Sequence, residues 1–318
     1  MNAKWAPLIE NMKKGSIVAL SRLITRVENR EPGWMDAMKK IYPDTGKARL
    51  IGITGSPGAG KSTLTNKMTR ILVDKGFKVG VIAVDPSSPF SGGAILGDRI
   101  RMNDITDLES VFVRSMATRG ALGGLNQSAR DVAKIMDAFG KDYILIETVG
   151  VGQDEVEVVK TADAVLVVCV PGQGDAIQAI KAGIMEIADV FVVNKADRDG
   201  ADQLVMDIES MLELDEDLGK SKPPIIRTVA VKGEGVIDLV DKTLEFVTGL
   251  GNRPRWNEER IRVELLGLVE KQITDRIKHA WEKNGRLDSA VSQVLNQEKD
   301  PYSIVQEVME NIIVNGER

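Results

Sequence analysis

Residues 55–62 read Gly-Ser-Pro-Gly-Ala-Gly-Lys-Ser, and the spacing G-x-x-x-x-G-K-[ST] leaves few folds open. Such a loop has to leave a strand and enter a helix. The β-branched run RLIGIT (49–54) precedes it, and the helical pattern STLTNKMTRILVDKG follows it. Glycines let the backbone close around phosphates in conformations that larger residues resist. Successive N–H groups and the positive end of the next helix then face the anion. Lys61 is expected to reach the β- and γ-phosphates, and the Ser62 hydroxyl to ligate Mg2+. A plain Gly-rich turn would not require the Lys-Ser pair in this frame. Gly55, Ser56, Pro57, Gly58, Ala59, Gly60, Lys61, Ser62 and Thr63 are therefore the expected triphosphate-binding residues.

The loop opens a longer pattern. Apolar runs at 49–54, 78–85, 143–148, 164–170, 190–194 and 225–230 are mostly separated by stretches long enough for a helix. Near-continuous apolar strands alternating with helices predict an α/β fold, a doubly wound, mostly parallel sheet covered on both faces. Before residue 48 the pattern is helical, with Ile17, Leu20, Ile24 and Val27 on one stripe and a second short helix from Trp34 to Ile41. After residue 250 it is helical again. Leu266, Val269, Ile273 and Ile277 share a face, and Asp300-Pro301 reads as an N-cap with Pro at N1. Those stripes fit either packing back on the domain or covering a partner.

Asn194-Lys195-Ala196-Asp197 follows the strand at 190–194. Asp197 can accept from guanine N1–H and the 2-amino group, while Asn194 and the Lys195 stem frame the base. Adenine lacks donors there and would leave a buried carboxylate unpaired. Closing a later strand of the same sheet, the motif predicts GTP. Glu147-Thr148-Val149-Gly150 supplies a D-x-x-G equivalent, with Glu147 toward Mg2+ and the Gly150 N–H toward the γ-phosphate. Val151 follows, an apolar residue that cannot orient water, so unaided hydrolysis is expected to be slow. Asp85, closing the strand at 78–85, is a candidate to help, with a turn-forming Asp before Pro86 as the alternative reading; Gln153 is a weaker candidate.

Composition narrows the field further. The 318 residues carry 42 basic and 47 acidic side chains, a net charge of −5, which gives no general reason to expect nucleic acid or an anionic membrane. No apolar run approaches the ~18 residues of a membrane span, and the N-terminus has no signal-peptide pattern. With one Cys (Cys169) and one His (His279), no zinc-type cage can be built. Cys169, inside AVLVVCV, reads as a buried small hydrophobe sooner than a reactive thiol. A cytoplasmic location is the expectation.

The runs GITGSPGAGKSTL, VIAVDPSSPFSGGAILGDRIRM, RGALGGL, ETVGVGQDEVEV, PGQGDAIQAIKAGIMEIAD and NKAD together closely resemble the MeaB/ArgK family of methylmalonyl-CoA mutase-associated GTPases. The resemblance runs from about residue 16 to 250 and includes a segment, 172–183, that ordinary GTPases lack. It implies a P-loop GTPase domain at 48–250 between an N-terminal helical extension (1–47) and a C-terminal helical dimerisation arm (251–318). It further implies a GTP-hydrolysing chaperone of a coenzyme B12-dependent acyl-CoA mutase, gating adenosylcobalamin loading, with Mg2+ as cofactor, a homodimer, and an adenosyltransferase in the same pathway. Asp85 and Asp98 would contribute around Mg2+ from the first switch. Gln178 and Lys181 would act from a third switch, although spacing alone makes them a solvated helix face. Ser91 and Asp154 depart from the family's usual Thr and Ser. So does VAVKGEG (229–235), which leaves open which amide among Val229, Ala230 and Val231 reads guanine O6. The alternatives are metallocentre assembly, which wants a His-rich tract or Cys pair, and a kinase of a transport-system binding protein, which wants an acceptor pocket and base.

Overall fold

The computed structural model describes residues 4–85, 103–117, 124–148, 162–172, 187–214, 222–249, 258–283 and 285–316. The chain divides into two compact units, Met1–Arg260 and Ile261–Arg318.

The first unit is built on one seven-stranded sheet. Its strands are β1 (Arg49–Gly55), β2 (Val79–Asp85), β3 (Val111–Ala117), β4 (Tyr143–Thr148), β5 (Ala164–Cys169), β6 (Val190–Asn194) and β7 (Ile225–Thr228), in the order β3-β2-β4-β1-β5-β6-β7. Every described pairing is parallel, so the expected mostly parallel sheet is wholly so among these strands. Alternation along the strands sends side chains to both faces. Ile51, Ile53, Val81, Leu145, Leu166 and Val192 meet Leu64, Met68 and Leu72 of α4 (Lys61–Asp74) and Leu239 and Val240 of the helix Val236–Gly249. On the other face Val165, Val167, Phe191 and Val193 pack with Leu204 and Ile208 of the helix Ala201–Leu214. Cys169 belongs to that layer, where burial pushes its thiol up to about 12.

The remaining part of that face is closed by residues from the N-terminal helices α1 (Ala6–Lys13), α2 (Ile17–Glu28) and α3 (Trp34–Ile41). Trp5, Leu20, Leu23, Ile24 and Val27 join Ile82, Val84, Ile144 and Ile146 and the helix Gly124–Ala138 in one core. Polar contacts seal the seam. The Asp137 carboxylate accepts from the backbone N–H of Gly46 (2.6 Å), Lys47 (3.1 Å) and Ala48 (2.8 Å). Arg30 pairs with Asp131 at 2.6 Å and lies 4.0 Å over the Trp34 ring.

Two local expectations shift. On α2 the buried stripe is Leu20, Leu23, Ile24 and Val27, while Ile17 is exposed in the first turn, just after the Ser16 cap. β3 is absent from the sequence reading, because Arg114 and Ser115 interrupt its apolar run. Arg114 instead reaches Glu28 of α2, which an edge strand facing a helix permits.

In the second unit, the helices Arg286–Leu295 and Pro301–Gly316 follow Glu258–Lys283. Asp300 caps as expected: its carboxylate accepts from the Ser303 N–H (2.9 Å) and hydroxyl (2.6 Å), and these bonds hold its pKa below the ordinary value. Leu265, Leu266, Val269 and Ile273 are exposed.

Candidate functional site: a nucleotide pocket at the carboxyl edge of the sheet

Parallel sheets of this winding bind ligands beyond the carboxyl ends of their strands, where the strand order reverses. Here β1 lies between β4 and β5, and the loop Gly55–Gly60 leaves its carboxyl end. Two glycines are fixed by space as well as by backbone angle. A Cβ on Gly55 (φ +144°) would stand 2.1 Å from the Val168 carbonyl oxygen, and one on Gly60 (φ +89°) 2.5 Å from Asn194 Nδ2. The loop is therefore pressed against its neighbours, and only glycine allows it. Helix α4 starts at Lys61, so its positive end is aimed at the loop.

Lys61 is buried and its ammonium lies across the loop, donating to the carbonyls of Gly55 (2.6 Å) and Ser56 (3.0 Å). One residue on, the Ser62 hydroxyl donates to Glu147 Oε1 at 2.5 Å. Glu147 is buried near the end of β4, and register sets it level with Ile53 of β1 and Ala83 of β2. Serine hydroxyl and carboxylate are hard oxygen donors, and two within one hydrogen bond beside a phosphate loop fit Mg2+ by chemistry and place. Beneath them, Thr148 Oγ1 donates to Thr54 Oγ1 (3.1 Å), both fully buried, which ties β4 to β1 under the loop. Asp85 closes β2 at this same edge; its side chain lies outside the described residues, as do Asp98, Gly150, Gln178 and Lys181.

The Asn194–Asp197 segment reaches the loop from the far side of β5. Asn194 is buried, and its amide nitrogen donates to the Ala59 carbonyl at 2.7 Å. Its Oδ1 accepts from the Thr228 hydroxyl and the Ala230 N–H, each at 3.1 Å. One side chain thus joins the phosphate loop, the end of β7 and the turn beyond it. Lys195 sits at φ +56°, a left-handed backbone that costs a non-glycine residue ~1 kcal/mol or more, and donates from Nζ to the Gly58 carbonyl at 2.8 Å. Asp197 is half-exposed and pairs with Lys232 at 3.2 Å.

The structure brings together Gly55–Thr63, Glu147, Asn194, Lys195, Asp197 and Val229–Val231 around one edge. Sequence reasoning missed Thr54, Thr148, Thr228 and Lys232. Thr228 had a faint signal as the polar end of an apolar strand; the position of Lys232 opposite Asp197 had none. The strand read as 225–230 ends at Thr228, since Val229 already bridges back to Glu234.

The family described as methylmalonyl Co-A mutase-associated GTPase MeaB matches residues 20–282. GTPase ArgK of Escherichia coli is 35% identical over 301 residues, covering 92% of this chain and 91% of that one. A mouse protein named methylmalonic aciduria type A homolog, mitochondrial, is 34% identical over 235 residues, 72% of this chain and 57% of its own length. A solved structure described as an LAO/AO transport system kinase is 27% identical, with a TM-score of 0.69 and 98% of each chain covered. No helix among the described residues is long and apolar enough to cross a membrane. A phosphate loop stitched to a guanine-type motif, in a chain matched from residue 20 to 282, identifies the protein as a GTPase of the MeaB family.

Proposed function

We infer that this GTPase serves a coenzyme B12-dependent acyl-CoA mutase, using GTP binding and hydrolysis to gate adenosylcobalamin loading and to protect or reactivate the mutase. The observation that supports this reading is the match to the mutase-associated family over residues 20–282, on a chain that sets Ser62 on Glu147 and Asn194 on the phosphate loop. The methylmalonyl-CoA mutase is the first client to test, and a cobalamin adenosyltransferase is the expected neighbour in the pathway.

Within that reading, the Lys61 ammonium leaves the Gly55 and Ser56 carbonyls to take the β- and γ-phosphates, and the N–H groups of the loop and the first turn of α4 take the remaining oxygens. Ser62 and Glu147, with Asp85 and Asp98 contributing, would hold Mg2+, which when bound neutralises charge between the β- and γ-phosphates. The Gly150 N–H senses the γ-phosphate. Asp197 reads guanine N1–H and the 2-amino group, the Lys195 stem covers the base, and an amide of Val229–Val231 reads O6. Gln178 and Lys181 approach the phosphates on contact with the client, Lys181 carrying positive charge toward charge that develops in hydrolysis. The exposed apolar face of Leu265, Leu266, Val269 and Ile273 covers a second copy of the chain, giving a homodimer. A cytoplasmic location is part of this proposal.

The test is phosphate release from GTP by the pure protein, alone and with methylmalonyl-CoA mutase, with ATP as control. Slow GTP turnover that rises at least about tenfold with the mutase supports the reading; turnover indifferent to every B12-dependent acyl-CoA mutase contradicts it.

A further inference from the structure

The turn after β7, VAVKGEG, puts a cation on Asp197, the carboxylate proposed to read the base. Lys232 Nζ lies 3.2 Å from Asp197 Oδ2. The turn backbone fixes the base of that side chain: the Lys232 N–H donates to the Val229 carbonyl (2.9 Å), the Gly233 N–H to the same oxygen (2.9 Å), and the Val229 N–H to the Glu234 carbonyl (3.0 Å). Asp197 is held equally firmly, since the Ala196 N–H donates to the Thr228 carbonyl and the Arg198 N–H to the Lys195 carbonyl, both at 3.0 Å. These backbone hydrogen bonds hold the Asp197 and Lys232 turns side by side at the end of β7, within reach of the ion pair.

Guanine uses both oxygens of such a carboxylate, one for N1–H and one for the 2-amino group. Hypoxanthine has no 2-amino group and uses one. An ammonium resting on one oxygen leaves the other free to take N1–H but competes with the 2-amino group. We propose that Lys232 is a specificity-determining residue that competes with the guanine 2-amino group for Asp197, lowering guanine-nucleotide affinity and hastening GDP release. The proposal rests on the guanine-nucleotide reading of this site. Its size follows from the partial exposure of both side chains, 54% and 40%: a screened pair of this kind is worth a factor of about two to five in a binding constant.

The experiment measures GDP and IDP affinities of the full-length protein by displacement of a ribose-labelled fluorescent GDP, for wild type, Lys232→Met and Lys232→Arg. Lys232→Met should bind GDP about two- to fivefold more tightly with IDP unchanged, and Lys232→Arg should keep the wild-type ratio. Raising salt should widen the wild-type preference for GDP over IDP and leave that of Lys232→Met flat. A merely structural role for Lys232 would move both nucleotides together. Equal shifts for GDP and IDP, no shift, or weaker GDP binding in Lys232→Met would overturn the proposal. Failure of the wild type to bind either nucleotide would instead overturn the guanine-nucleotide reading beneath it.

Discussion

Asn194 makes three buried hydrogen bonds, to Ala59, Thr228 and Ala230, and each partner would be left without it in an Asn194→Ala variant. Stranding buried polar groups costs about 1–3 kcal/mol, so the substitution is expected to cost about 3 kcal/mol before any nucleotide is present. For a unit of this size that is a fall of about 6–12 °C in Tm, read by thermal unfolding. Lys61 behaves differently. Its ammonium donates to the loop carbonyls of Gly55 and Ser56, at about 0.5–1.5 kcal/mol net for each hydrogen bond, so Lys61→Ala should cost less than Asn194→Ala, about 1–2 kcal/mol. Its GTP affinity should nevertheless drop about 10- to 100-fold, because charge-assisted contacts to phosphate are lost. Isothermal titration separates the two variants. The phosphate loop and the guanine motif were legible as sequence because each is a short contiguous pattern with one mechanical use. The stitch between them was not, because Asn194 and Ala59 are 135 positions apart and only the sheet order brings them together.

At the scale of elements, six of the seven described strands stood out as apolar runs because a parallel strand buried on both faces has nowhere to put polar side chains. β3 is the informative exception. It is an edge strand, paired on one side only, and it carries Arg114 toward Glu28 on α2. A strand half committed to an ion pair loses the signature that marks its neighbours. The same seam carries Asp137, whose carboxylate accepts three backbone N–H groups at the entry to β1; Asp137→Ala should cost about 3 kcal/mol in chemical denaturation. At the opposite sheet edge from the nucleotide, Lys141 is buried and donates to the Ser110 carbonyl at 2.8 Å. Burial, then the charge of Lys78, lowers its pKa to about 8, with Asp142 opposing. The folded chain gives up this proton near pH 8, while the unfolded chain keeps it to about 10.5. The unfolded state therefore binds more protons across that window, and stability rises with pH through it. Denaturant midpoints of wild type relative to Lys141→Met should climb between pH 7.5 and 10; a flat difference would contradict the placement of Lys141.

At the scale of the whole molecule, the C-terminal helices present an exposed apolar face that includes Leu265, Leu266, Val269 and Ile273. Its sequence stripe was readable, but a stripe states only that something covers it, not what. If a second copy does, Leu266→Glu with Val269→Glu should convert the protein from dimer to monomer in light scattering and leave GTP affinity within about twofold, since neither residue belongs to the nucleotide pocket. A nucleotide can gate a partner only by as much as the partner's affinity differs between nucleotide states. The most direct measurement is therefore titration of methylmalonyl-CoA mutase with this protein loaded with GDP and, separately, with a non-hydrolysable GTP analogue. Gating by nucleotide requires Kd values at least about tenfold apart. Equal affinities in the two states would contradict it.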